Sequence, residues 1–139
     1  MTVVSTQITL QTQGNGDTLD ITDQVQSRVR ESGLASGIVT VFSPSATSSL
    51  TTLEYESGCI ADLQRLVEEI LPADRTYAHN QRWGDGNGHS HIRAALFKPS
   101  LTIPFQEGRL TLGTWQQIVF LDFDTRPRSR SLVVHLLGE

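Results

Sequence analysis

Val4, Thr6, Ile8 and Leu10 alternate without a break with Ser5, Gln7, Thr9 and Gln11. A period of two residues puts one set on each face of an extended strand. Such a segment must lay its apolar face against other structure, so β-sheet is the first commitment of this chain. Gly14-Asn15-Gly16-Asp17 then reads as a turn, with Thr18 to Thr22 as the returning strand of a hairpin. Gly37 to Phe42 and Ser49 to Glu56 are expected to form a second strand pair across the small-residue loop Ser43 to Ser48. His91–Phe97, Leu101–Phe105, Arg109–Leu112, Gln116–Asp124 and Ser131–Leu137 continue as strands, broken at Pro99-Ser100, Glu107-Gly108, Gly113 and Pro127.

Two stretches follow helical spacing instead. Thr22 or Asp23 is placed to cap a helix with Val25 and Val29 on one face, ended by Gly33. Ser57 is placed to cap another, in which Ile60, Leu63, Val67 and Ile70 recur until Pro72 stops it. Helices early and strands late predict a single α+β domain over residues 1–139, a largely antiparallel sheet with two helices on one face.

The 37% hydrophobic and 19% charged content is that of a chain able to bury a core without disulfides or a structural metal. A formal net charge of −4 argues against coating nucleic acid, although Arg126, Arg128 and Arg130 form a locally basic turn. The solitary Cys59 allows no internal disulfide, and the apolar runs are too short to span a bilayer. Residues Met1 to Gln11 lack the apolar core of a signal peptide, so a cytoplasmic protein with no membrane partner is expected.

Tyr77 to Ser90 is polar and glycine-rich and reads as a functional loop. Three of the four histidines, His79, His89 and His91, lie in or beside it. If His89-Ser90-His91 is extended, both imidazoles leave one face about 7 Å apart, given a rise of roughly 3.3 Å per residue. That separation lets two imidazoles converge on one divalent ion, with His79 as the third ligand and Glu54 as a carboxylate partner. The alternative is a solvated loop whose histidines only hydrogen-bond. Gly84, Gly86 and Gly88 let the backbone approach a ligand, and Asp85 and Asn87 add oxygen acceptors. The hydroxyls around Thr47 and Ser48 suit either an oxyanion or a tight packed turn, and Arg93 and Arg109 are candidate anion-binding cations. Cys59 is expected to be a small buried hydrophobe, and Trp115 a core or subunit-interface residue.

Ser45 to Glu56 resembles the STAAxTTxEYE block of one branch of the YjbQ-like family. Residues 77–93, YAHNQRWGDGNGHSHIR, then Pro99 to Phe105, Gly108 to Leu110, Leu112 to Ile118 with its LGTWQQI, and the closing Leu137-Gly138-Glu139 resemble the C-terminal half of that family. Other branches carry a histidine in the block where this chain has Ser45, Ala46 and Thr47. The resemblance implies a homotrimer with a polar cleft built from His79, Asn87, His89 and His91 together with Glu54. It also implies a secondary thiamine-phosphate synthase activity, joining a pyrimidine diphosphate to a thiazole phosphate with release of pyrophosphate.

Three functions are therefore expected to compete. The first is that transferase, with zinc or magnesium or basic groups stabilising the leaving diphosphate. The second is a metal-dependent hydrolase or phosphatase of a small phosphorylated metabolite, and the third a non-enzymatic trimeric ligand-binding protein.

Overall fold

The computed structural model describes all of residues 1–139. Strand β1 is Thr2–Thr12, β2 Asp17–Asp20, β3 Gly37–Phe42, β4 Ser48–Leu53, β5 Ser100–Gln106, β6 Arg109–Leu110, β7 Gln117–Asp122 and β8 Arg128–Gly138. Helix α1 is Thr22–Ser32, α2 Ser57–Ile70, α3 Ala78–Trp83 and α4 Gly88–Phe97. The strands make two antiparallel sheets, β1-β8-β3-β5-β6 and β2-β7-β4. The α+β class stands, with four helices in place of two and two sheets in place of one.

Neither expected hairpin forms. β1 pairs with β8 along its whole length, while β2 pairs with β7 in the other sheet. The Gly14–Asp17 turn is real, but it carries the chain between sheets: Asn15 and Gly16 N–H donate to the carbonyls of Asp124 and Asp122. Likewise β3 pairs with β5 and β8, and β4 with β7. Local alternation specifies a strand but not its partner, and long-range partners won in both cases.

The inward faces of both sheets and helix α1 share one core, to which Ile8, Val39, Phe105, Leu132 and Leu136 contribute from the larger sheet. Leu50, Ile118 and Phe120 enter it from the smaller sheet, and Val25 and Val29 from α1. Each such fully buried side chain contributes roughly 1.5–3 kcal/mol. Strand β7 reads Ile118-Val119-Phe120-Leu121, apolar without alternation, because both its faces are buried. On its far side Leu121 and the following Phe123 pack with Val67 of α2 and Ala94 of α4. The smaller sheet thus lies between the core and a helical layer, and that layer carries the histidines.

Helix starts differ from the expectation by a residue or two. Asp20 accepts from the Thr22 N–H and hydroxyl ahead of α1. Glu56, not Ser57, caps α2, its carboxylate accepting from Gly58 and Cys59 N–H at 2.7 and 2.6 Å. Of the apolar stripe on α2 only Val67 is fully buried; Leu63, Ile60 and Cys59 are partly so, and Ile70 is exposed. Trp115 is 73% exposed and belongs to no core within the chain.

The largest departure lies at 77–97. The expected loop contains α3, and the expected strand His91–Phe97 belongs to helix α4. Arg93-Ala94-Ala95-Leu96 are strong helix formers, and α4 buries His89, Ser90, Arg93 and Ala94, a helical rather than alternating pattern. Gly84, at φ 70, ends α3 in the left-handed conformation. Gly88 opens α4, and a Cβ there would lie 2.5 Å from the Tyr77 Cβ. No helix is long and apolar enough to cross a membrane.

Candidate functional site

Because His89 and His91 stand two residues apart on a helix rather than a strand, they leave it in nearly opposite directions. His91 faces α3, its ring centroid 4.4 Å from that of His79. The His79 Nδ1 lies 3.4 Å from an Asp85 carboxylate oxygen, and the Asn87 amide, in the orientation that satisfies it, donates to the same carboxylate at 2.9 Å. One more bond ties the motif together: the Gly88 N–H donates to Asn80 Oδ1 at 2.8 Å. The HN and DGNGH pieces are therefore two ends of one hydrogen-bonded turn, and both His79 and His91 sit half-exposed on its surface.

Beside His91 lies a shallow hollow of ≈ 270 Å³ walled by Ser45, Ala46, Ser48, Ala94, Ala95 and Pro99. Small residues on both sides leave room for a ligand next to the imidazole. The hydroxyls there are mostly committed: Ser48 bonds Ser43 at 2.7 Å, and Thr47 donates to Asp124 at 3.1 Å. Thr47 and Ser45 both accept from Arg130, at 2.9 and 3.0 Å.

His89 turns the other way, 6.2 Å from the Tyr77 ring and only 5% exposed. Burial, with help from the Arg93 guanidinium and against the pull of Glu68, pushes its pKa below the usual histidine range. Its Nδ1 has no partner in the protein, nor has the Ser90 hydroxyl beside it or that of Ser49 on β4. An unpaired buried polar group costs about 1–3 kcal/mol, so three of them around the α4–β4 contact are a concentration of uncommitted hydrogen-bonding capacity.

The remaining expected site residues scatter. Arg93 is buried, its Nε and Nη2 donating to the Leu71 carbonyl and its Nη2 to Glu68 at 2.7 Å. Arg109 is exposed on β6, beside Gln26 and Arg30 of α1. Glu54 lies past the end of β4 and is exposed, its carboxylate without a hydrogen bond or ion pair. No group of three or more His, Cys, Asp or Glu side chains is placed to hold one ion. The chain by itself offers a divalent ion the neighbouring imidazoles of His79 and His91, short of the three protein ligands usual at catalytic zinc.

Sequence reasoning missed the most tightly bonded polar cluster. The locally basic arginine turn supplies Arg128 and Arg130 to a largely buried ion-pair network: Arg130 reaches Asp122 at 2.8 Å and Asp124 at 3.6 Å, and Arg128 reaches Asp124 at 2.8 Å. Thr12 adds a 2.6 Å bond to Asp122. Burial raises both carboxyl pKa values, but Arg130 and Thr12 at Asp122 outweigh it; at Asp124 the Thr125 N–H, Arg128 and Thr47 do so. Both carboxyls are thus held below the usual range. The only available signal was the charge pattern Asp122, Asp124, Arg128, Arg130 itself.

Fold and site together define a small α+β protein built as two antiparallel sheets, with a histidine-bearing helical layer over the smaller one. Residues 6–139 match the model of the family described as UPF0047 protein YjbQ-like, and the chain belongs to that family. A UPF0047 protein of Methanothermobacter thermautotrophicus is 37% identical over 139 residues, covering 100% of this chain and 95% of the relative. One from Archaeoglobus fulgidus is 37% identical over 131 residues, 94% of this chain and 99% of the relative. The crystal structure of a YbjQ-like protein of unknown function from Sulfolobus solfataricus superposes with a TM-score of 0.94 at 32% identity, covering 99% of each chain. That of a hypothetical protein from Aeropyrum pernix does so with a TM-score of 0.90 at 29% identity, covering 98% of this chain and 99% of the other.

Proposed function

We propose that the hollow beside His91 is the active site of an enzyme acting on a small phosphorylated metabolite. Its reaction, on this reading, is the secondary thiamine-phosphate synthase step implied by the motifs in 45–56 and 77–118. The observation that carries the reading is the His79–His91 pair at 4.4 Å, with His79 held by Asp85 and His91 bordering the hollow. In that step a carbon–nitrogen bond forms between the two rings. The carbon–oxygen bond to the diphosphate breaks, and its electron pair leaves with the diphosphate oxygen. An imidazole positioned by a carboxylate can hydrogen-bond or protonate that oxygen as negative charge builds on it. His91, which borders the hollow, takes this role, and His79, held by Asp85, stands against it. His89, turned to the other side of α4 against Tyr77, has no part in this role.

A divalent ion is the alternative form of the same proposal: the His79 and His91 imidazoles would then bind it in place of donating to the diphosphate, with substrate oxygens completing the shell; zinc suits imidazole better than magnesium does. When bound it would supply charge to the leaving diphosphate. We also propose a homotrimer. The outer face of the larger sheet exposes Val3, Ile38, Phe42, Val133 and Leu137, an apolar surface without cover in the single chain. Light scattering of the purified protein is expected to return three times the chain mass, and a monomer mass at micromolar concentration counts against it.

The chemistry is tested by incubating the pyrimidine diphosphate and thiazole phosphate with wild type, His91→Ala and His89→Ala, following joined product and pyrophosphate. Wild type is expected to make both and His91→Ala neither above background. Phosphate release from either substrate alone, without joined product, moves the assignment to a hydrolase in which the Asp85–His79 pair activates water. Equal slow product from wild type and His91→Ala removes the reaction from this site and leaves a binding protein. Elemental analysis separates the metal part: content is expected to fall in a His79→Ala, His91→Ala double variant but not in His89→Ala.

A further inference from the structure

On the opposite side of α4 from His91, a second cavity opens between α2, the end of β7 and the Gly14–Asp17 turn. Its volume is ≈ 210 Å³. Its walls are apolar on one side, where Leu63, Val67, Leu121 and Phe123 line it, and Arg93 stands on another with its partner Glu68. Arg93 is 7% exposed, and its Nε and Nη2 are bound to Leu71 and Glu68 as described. Its Nη1 donates to no group in the protein, yet it is not among the polar atoms sealed from solvent. Arg93 lines the cavity, so a charged donor, rigidly held through its other two nitrogens, stands at the edge of a pocket with one apolar wall.

We infer that this cavity is a binding site for a small monocarboxylate with a branched or compact apolar body. The carboxylate accepts from Arg93 Nη1 and the body packs against Leu63, Val67, Leu121 and Phe123. Three observations select that chemistry. A single free guanidinium nitrogen, not a bidentate fork, meets one carboxylate oxygen. Leu63, Val67, Leu121 and Phe123 make one wall of the lining apolar, and a bare phosphate would leave that wall against water. Glu68, 2.7 Å from Arg93, already offsets its charge, so a singly charged ligand is favoured over a doubly charged one. Asn15 and Gln64, polar and exposed, complete the lining toward solvent. The site does not involve the His79–His91 pair, and its test does not depend on the reaction proposed there.

The probe is isovalerate, titrated into the full-length protein while the methyl resonances of Leu63, Val67 and Leu121 and the Arg93 Nε–Hε signal are followed by NMR. These signals are expected to shift together and saturate with a dissociation constant in the millimolar range or below, the scale for a ligand this small. Isovaleramide, the neutral isostere, and inorganic phosphate are each expected to bind about tenfold more weakly or not at all. Two variants guard against a trivial reading. Leu63→Trp fills the cavity from its partly buried rim and is expected to abolish the shifts while leaving the circular dichroism unchanged. Glu68→Gln removes the compensating charge from an exposed position and is expected to tighten isovalerate several-fold without changing isovaleramide. Absence of saturable shifts overturns the inference, as do shifts that persist in Leu63→Trp, phosphate binding as tightly as isovalerate, or weaker isovalerate binding in Glu68→Gln.

Discussion

Two polar regions flank the Ser43–Ser48 segment, and they differ in whether their charges are answered. On one side Asp122 and Asp124 are almost wholly buried, and each is met by an arginine, a threonine hydroxyl and a backbone N–H. On the other, His89 Nδ1 and Ser90 Oγ on α4 and Ser49 Oγ on β4 are buried with no partner, and the same helix carries the half-exposed His91 against His79. A closed network holds structure, because every donor and acceptor has been used. An open one costs stability where it stands and keeps its capacity for something else. The contrast gives the first region an architectural role and leaves the second for the proposed chemistry, and it can be broken from either side.

The largest effect is expected at Asp122. Asp122→Ala leaves Arg130 with the longer 3.6 Å contact to Asp124 and the Thr47 and Ser45 hydroxyls in a largely buried setting, and breaking a buried pair costs about 3–5 kcal/mol. Urea unfolding should show it as a fall in midpoint at constant slope. A loss under 1 kcal/mol, on the order of an exposed pair, would mean the network is not what holds the β7–β8 end.

Acid should weaken the protein in two stages. Asp122 and Asp124 have folded pKa values below their unfolded ones, so their contribution is present above about pH 4 and lost as pH falls through the folded values. His89 is also lowered. The unfolded chain therefore binds its proton more readily, and stability falls as pH drops below about 6.5 toward the folded value. Thermal melts in a pH series should show a shallow decline first and a steep one later. In His89→Leu the first should vanish and the second remain.

Thr47→Val removes one hydroxyl that both donates to Asp124 and accepts from Arg130. A loss of about 1–2 kcal/mol is expected, smaller than at Asp122 because the carboxylate keeps Arg128 and the guanidinium keeps Asp122. A double-mutant cycle between the two positions should show coupling, since they share partners.

The smallest stability effect is expected where function is placed. His79→Ala deletes a half-exposed side chain whose only ion-pair partner is the 48%-exposed Asp85 side chain, so stability should stay within about 0.5 kcal/mol. Turnover of whatever the site processes should nevertheless collapse. A variant that unfolds instead would place His79 with the structural network and erase the distinction between the two regions.

The sequence by itself determined which stretches are strands along β1, β3, β5 and β8, the Val25–Val29 face of α1, and the presence of a polar histidine-and-glycine segment at 77–93. Periodicity and turn residues are local properties, and they survive into the fold because each matches the burial around it. It also carried the family resemblance, since motif spacing needs no geometry to be read. Tertiary structure alone decided the rest. β1 could not announce that its partner is β8, at the other end of the chain, nor β4 that it pairs with β7, since any strand face accepts any complementary one. An i, i+2 histidine pair is same-face on a strand and opposite-face on a helix. Packing of Ala94 against Val67 and Leu121, together with the space Gly88 leaves for Tyr77, settled that 88–97 is helical and divided the three histidines between two faces. Arg128 and Arg130 read only as a locally basic turn because sequence records charge but not burial; only the fold brings Asp122 and Asp124 against them.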